Sequence, residues 1–244
     1  MPARNPTLKA LLWLVAGALL VALLMRYVDL GIAEAVRAWP KTVVAVFGVV
    51  TLFGWHYWYW PTGAVAAVVF AALSRRAAAR DARLYAWAAE AAAFLFAVTA
   101  SSNFIVGVVK HVVGRARPYV ALPPDGPAFT LFASTPDHWS FPSGHACTFL
   151  GVAMVAAFLW PRLRWPILAV GVTGAFSRVV LDVHYLSDIL AGGAIGVVTA
   201  LAMRAWFADR GWAFHRRPDG SIAVKPGGRW VKRRLRRYLG RRPG

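Results

Sequence analysis

Apolar residues fall in long runs along this chain, and polar residues gather between them. Six runs come near the ~20 residues that one helical crossing of a bilayer needs. They are Leu8–Met25, Trp55–Leu73, Leu84–Val109, Ser143–Trp160, Trp165–Val180 and Ile189–Trp206. In hydrocarbon every backbone N–H and C=O needs a partner within the segment, so each run is predicted to be a helix. The stretch Val43–Leu73 is longer than one crossing and shorter than two. Charge decides its reading. Arg4 and Lys9 lie at the start of the first run, and Arg75, Arg76, Arg80 and Arg83 follow this stretch. Both basic groups belong on the inner side, which leaves room for one crossing between them. Trp55–Leu73 is therefore the predicted crossing, and Trp55-His56-Tyr57-Trp58-Tyr59-Trp60 forms an outer aromatic belt. Val43–Phe53 is predicted to be an additional helix at the outer interface.

The segment Arg115–Phe141 is polar, and Pro123, Pro124, Pro127 and Pro136 argue against a helix there. It is predicted to be an outer loop that roofs a site. Gly192 and Gly196 have the small-xxx-small spacing that lets helices approach closely. The fold class expected is all-α: a polytopic membrane protein with six transmembrane helices and one outer interfacial helix. Residues 1–209 form the membrane domain. Residues 210–244 form a basic cytoplasmic tail, partly disordered and lying on anionic lipid.

Composition agrees. With 59% hydrophobic residues the chain is too apolar for an ordinary soluble domain. A single cysteine, Cys147, rules out an internal disulfide or a cysteine metal site. The net charge of +18 is read as topology and contact with anionic lipid, with no nucleic-acid partner. The first run resembles a signal peptide but lacks a convincing small-residue cleavage site, so a retained span is expected. Three polar residues are expected to be incidental: Glu90 as a snorkelling or arginine-paired acid, His56 as part of the interface, His138 as a loop residue.

The stretch Ser177–Asp188 holds Arg178, His184 and Asp188 between two apolar runs. If a helix begins near His184, Asp188 lies one turn on, at i+4. A carboxylate there holds one imidazole nitrogen and leaves the other free to attack. On its own the stretch fits equally well a snorkelling arginine, an interfacial histidine and a helix-capping aspartate. The predicted topology separates the two readings. Lys110 and Arg117 follow the outer end of the third run, and Pro142-Ser143-Gly144-His145 opens the fourth from the same side. Arg178, His184 and Asp188 sit in the outer turn between the fifth and sixth. Three cations outside the inner face, against the positive-inside bias, suit one dianionic group. Ser143 and Gly144 at a helix start add free backbone N–H groups and a positive dipole end. Two histidines divide the work of nucleophile and general acid. A phosphoryl centre fits this set better than a carbonyl. No cluster of His and carboxylates suggests a metal, so a metal-independent mechanism without cofactor is expected.

Lys110, six residues, Arg117-Pro118; Pro142-Ser143-Gly144-His145; Ser177-Arg178, five residues, His184, three residues, Asp188: this order resembles the tripartite signature of the type-2 phosphatidic acid phosphatase superfamily. The resemblance runs from Lys110 to Asp188. It implies that His184 attacks phosphorus to form a phosphohistidine and that Asp188 orients it. His145 would protonate the leaving oxygen and then activate water. Lys110, Arg117, Ser143, Gly144 and Arg178 would hold the phosphoryl oxygens. Two positions depart from the pattern: Asp182 stands where glycine is common, and Leu186 where proline is common. Asp182 is expected to compete for Arg178.

The function expected from the resemblance is a bacterial inner-membrane lipid phosphatase with its site facing the periplasm. Its substrate is a lipid phosphate or pyrophosphate. Undecaprenyl pyrophosphate, phosphatidylglycerol phosphate, phosphatidic acid and a lipid A phosphate all fit. Two alternatives stand beside it: a phosphotransferase with a lipid or sugar acceptor, and a non-catalytic lipid transporter or binding protein.

Overall fold

The computed structural model describes residues 6–120 and 129–225. It is mostly helical (76%), with eight α-helices among the described residues. They are α1 (Pro6–Tyr27), α2 (Asp29–Arg37), α3 (Lys41–Val50), α4 (Trp60–Arg76), α5 (Ala79–Val113), α6 (Gly144–Leu159), α7 (Arg164–Val180) and α8 (Leu186–Asp209). Two short 3-10 turns, Thr51–Gly54 and His56–Trp58, join α3 to α4. A hairpin of β1 (Phe214–Arg216) and β2 (Ile222–Val224) follows α8.

By length and apolar composition, two helical stretches are able to cross a bilayer: Asp81–Val113 and Leu186–Asp209. Two bent pairs pass the same test jointly. Leu11–Tyr27 with Asp29–Arg37 bends by 53°, and Lys41–Gly54 with His56–Arg76 by 45°. The count is thus two to four. Six crossings would require α6 and α7, at 16 and 17 residues, to span as short helices. The stretch expected to lie apart at the interface, Val43–Phe53, is joined to α4 through the bend at Trp55.

The helices α5, α6 and α8 pack side by side. Gly192 and Gly196 make the approach of α8 possible: a Cβ at Gly192 would strike the Ser143 carbonyl, and one at Gly196 the Cys147 carbonyl. One apolar cluster, with Phe94, Val98, Leu159, Ala200 and Phe207, fills the end of this packing near the α6–α7 turn. A second, with Val36, Ala146, Phe149, Ala175, Val179 and Ile189, ties α2 and α7 to α6 and α8 at the opposite end.

The segment after α8 carries structure that its composition did not suggest. Residues 210–225 are ordered: Phe214 is buried in the cluster with Phe94 and Phe207, and its ring centroid lies 5.0 Å from that of Phe94. Glu90, expected to snorkel or meet an arginine, accepts from the Ala213 N–H at 2.7 Å and from Lys225 Nζ at 3.2 Å. An apolar anchor and a lysine–carboxylate pair hold the hairpin to α5, and the arginine count concealed both. The remainder of the proposed tail, 226–244, lies outside the described residues, as do Pro123, Pro124 and Pro127.

Candidate active site

Five segments meet above the second apolar cluster. The first is the end of α5, where Lys110 lies in the last turn and Gly114 closes the helix at φ +58°. Arg115 and Arg117 follow in extended chain. The loop beyond folds back on them: Arg117 N donates to the Asp137 carbonyl at 2.8 Å, Arg117 Nε to the Pro136 carbonyl at 2.9 Å, and Ser140 N to the Arg115 carbonyl at 3.0 Å. Ser143 is the N-cap of α6, its hydroxyl accepting from Ala146 N at 3.4 Å. Gly144 and His145 occupy the first turn, and His145 Nε2 is buried without a partner. Arg178, in the last turn of α7, donates from Nη1 to Thr51 Oγ1 at 2.7 Å.

His184 lies in the turn before α8, with its N–H on the Arg178 carbonyl at 3.2 Å. The sequence suggested a helix starting near His184. It starts instead at Leu186, with Tyr185 as N-cap, so Asp188 is the third residue of the helix and reaches back over its start. This capping geometry sets His184 Nδ1 3.6 Å from Asp188 Oδ2. The separation is longer than a hydrogen bond. With Nδ1 turned to the carboxylate, Nε2 is the nitrogen left to react. Burial, with the charges of Lys110 and Arg117 added, pushes the His184 imidazole down to about 3 against the pull of Asp188. His184 is therefore neutral at neutral pH, the form a nucleophile requires.

All eight residues singled out in the sequence thus occupy one region. Lys110 lies within electrostatic range of Arg117, Arg178 and Asp188, and His145 of Arg178, His184 and Lys110. Ser143 N donates to the Asp188 carbonyl at 3.0 Å, joining α6 to α8. Among the described residues no group of three or more His, Cys, Asp or Glu is placed to hold a metal.

The sequence did not reveal what holds Asp188. Its Oδ1 accepts from Arg115 Nη1 at 2.6 Å; its Oδ2 accepts from Ser140 Oγ at 2.5 Å and from Tyr185 N at 2.9 Å. Arg115 is 0% exposed and lies over the Tyr185 ring at 4.0 Å. Its Nη2 reaches Asp29 Oδ2, on α2, at 2.8 Å, while Nη1 also donates to Ser187 Oγ at 2.8 Å. Asp29 Oδ1 accepts from Ser187 N at 3.0 Å, and the Ser187 hydroxyl donates to Oδ2. A buried chain Asp29–Arg115–Asp188 thus underlies His184. One signal was available: Asp29 is an acid directly behind an apolar run, a functional candidate by default.

Asp182 does not compete for Arg178. It accepts from Arg37 Nε at 2.7 Å, and Arg37 Nη2 donates to the Pro118 carbonyl at 2.7 Å. Its backbone is left-handed at φ +54°, which glycine takes freely and aspartate tolerates. Leu186 is the first residue of α8, a position where proline is equally at home because no helical hydrogen bond is asked of its N–H. His56, expected to be interfacial only, lines a cavity of about 410 Å³ with Asn103 and Phe104 and lies within electrostatic range of Lys110.

Comparison with known proteins bears on this arrangement. Over 128 residues the chain is 34% identical to a lipid A 1-phosphatase of Rhizobium etli, covering 52% of this chain and 55% of that protein. Over 98 residues it is 37% identical to a decaprenylphosphoryl-5-phosphoribose phosphatase of Mycobacterium tuberculosis, covering 39% and 49%. The chain spans about half the length of the curated relatives it matches. Its fold is similar to that of a solved PAP2-type phosphatidylglycerolphosphate phosphatase of Bacillus subtilis. The TM-score is 0.56 at 20% identity, over 79% of this chain and 92% of the other. The sequence model of the PAP2 superfamily matches residues 91–212, from the middle of α5 through α8. Because that match covers half of the chain and encloses the whole Lys110–Asp188 arrangement, the chain belongs to the PAP2 superfamily.

Proposed function

We propose that this protein is a membrane lipid phosphatase that hydrolyses a phosphate or diphosphate ester of an amphiphile through a phosphohistidine. The observation that carries the proposal is the pairing of a buried, neutral His184 with Asp188 inside a ring of Lys110, Arg117 and Arg178. The three cations and the N-terminus of α6 would bind the phosphoryl oxygens. His184 Nε2 attacks phosphorus as the bond to the leaving oxygen breaks, and His145 delivers a proton to that oxygen. Water then attacks the phosphohistidine, His145 takes its proton, and phosphate leaves with His184 neutral again. Positioning and charge stabilisation supply the acceleration, as phosphoryl transfer generally demands. The relatives' names point to saccharolipid and prenyl-linked phosphates as the first substrates to try.

Phosphate release from a panel of lipid phosphates, by the purified full chain in detergent, tests the reading. Turnover of at least one lipid phosphate is expected to continue in excess chelator, because side-chain cations do the work of a metal. Vanadate is expected to inhibit, since it mimics the trigonal bipyramidal transition state. Loss of all activity in chelator, restored by magnesium, would exclude the metal-independent mechanism.

The proposal includes six crossings of a bacterial inner membrane, both ends inside and the site outside, with α6 and α7 as short spans. The basic residues after α4 and between α6 and α7 support that orientation. In a Cys147→Ala background, cysteine at Thr135 is expected to react with an impermeant maleimide from the periplasm. Cysteine at Arg76 or Arg217 is expected to react only after permeabilisation. Labelling of position 76 from outside would reverse the sidedness.

A further inference from the structure

An apolar groove leads away from His145 along α6. It encloses about 550 Å³ between α6 and α7. His145, Phe149, Val152 and Ala156 follow at i, i+4, i+7 and i+11, so they lie on one face of α6. The last three line the groove, with Ile167 and Val170 of α7 as its facing wall. From His145 to Ala156 the axis runs about 16 Å, toward the α6–α7 turn. Phe53 and Tyr59 form the upper end, and the Tyr59 hydroxyl is already committed to the Phe53 carbonyl at 2.6 Å. No other lining side chain carries a polar group, so the groove offers an occupant nothing but hydrocarbon contact. At the upper end the groove adjoins the site. A Cβ at Gly54 would meet both His145 Cδ2, at 2.8 Å, and the Phe149 ring.

We propose that this groove binds a hydrocarbon tail of the substrate's leaving group. The inference rests on the phosphatase reading, in which His145 protonates the leaving oxygen. That oxygen is the atom that carries the lipid, so the lipid must depart from the site on the His145 side. Among the described residues this groove continues from His145 on its own helix face, and it runs along the helix, the direction in which bilayer chains also lie. Bulk bilayer lipid is the rival occupant. It would fill the groove without regard to what is bound at His184.

The test is a series of straight-chain alkyl phosphates, short to long, assayed as monomers with the full chain in detergent. The readout is the ratio of kcat/KM for the long substrate to that for the short. Ala156→Phe and Val170→Trp each fill the groove. Val170 is 69% exposed, so a large side chain there does not threaten the core. Both variants are expected to lower the ratio about tenfold or more, given a buried methylene worth roughly fourfold in binding. Val172→Phe, on α7 outside the groove and 57% exposed, is expected to leave the ratio unaltered. A ratio that stays at the wild-type value in both groove variants overturns the proposal in favour of bulk lipid, while the phosphatase reading stands. A wild-type chain that releases phosphate from no alkyl or lipid phosphate overturns both.

Discussion

His184→Ala is expected to abolish turnover and to abolish covalent labelling with it. Among the described residues, His184 is the imidazole near the three cations that is held against a carboxylate. Rapid quenching of labelled substrate without acid should trap acid-labile phosphate on the wild-type chain and none on the variant. Asp188→Asn keeps the shape beside His184 Nδ1 and removes the charge. A loss on the order of 10³–10⁴-fold in kcat is expected, the scale seen when the carboxylate that orients a catalytic histidine is neutralised. His145→Ala should depend on the leaving group. General acid catalysis contributes roughly 10²–10⁴-fold, and that factor should shrink when the leaving group is a nitrophenolate or a phosphate. The pH profile follows from the cause of the His184 shift. Burial and two neighbouring cations disfavour its imidazolium. His184 is therefore ready to attack above a pH near 3 and silenced by protonation below it. The acid limb of kcat/KM belonging to His184 should lie far below the ordinary imidazole value. Arg117→Ala removes a charge that lowers the pKa and should move that limb up; Asp188→Asn removes one that raises it and should move it down. Trapped label on His184→Ala, or equal loss with every leaving group in His145→Ala, would reassign the roles.

Much of this was legible in the sequence because phosphoryl chemistry needs charged residues that a membrane helix otherwise avoids. Lys110, Arg178 and Asp188 stood out against their apolar surroundings, and Ser143-Gly144 marked a helix start. Less legible were the partners. Arg115 sits two residues before Arg117 in a basic run, and nothing in that run tells a side chain facing a phosphate from one facing two carboxylates. The pairing of Asp29 with Arg115 joins residues 86 positions apart through the bend between α1 and α2, and no local pattern encodes it. The hairpin after α8 was hidden for the opposite reason. Its anchors are a phenylalanine, a backbone N–H and one lysine inside a tail whose arginines dominate the composition. Helix bends escaped too, since apolar runs report length but not direction.

The second large effect is expected at Arg115 and Asp29, residues that touch no substrate. Arg115 lies between the carboxylates of Asp29 and Asp188, all three buried. Removing the guanidinium leaves two buried anions facing one another, and breaking such a pair typically costs about 3–5 kcal/mol. Arg115→Gln should therefore lower the melting temperature in detergent substantially. Asp29→Asn is subtler and more informative. It retains an acceptor for Ser187 N but leaves the Arg115 charge shared with Asp188 alone. Asp188 is then drawn to Arg115 and has less negative charge to offer the phosphohistidine. A fall in kcat on the order of 10- to 100-fold with little change in KM is expected, the range over which partners of a functional side chain commonly act. The His184 limb of the pH profile should also move down, because one negative charge has left its surroundings. A purely structural role for Asp29 would not move that limb. In the double variant Asp29→Asn with Arg115→Gln, an uncharged pair replaces the ion pair, so its loss of stability should fall short of the sum of the single losses. Additive losses, together with an unshifted pH profile in Asp29→Asn, would reduce Asp29 to a packing residue and leave Arg115 to hold Asp188 alone.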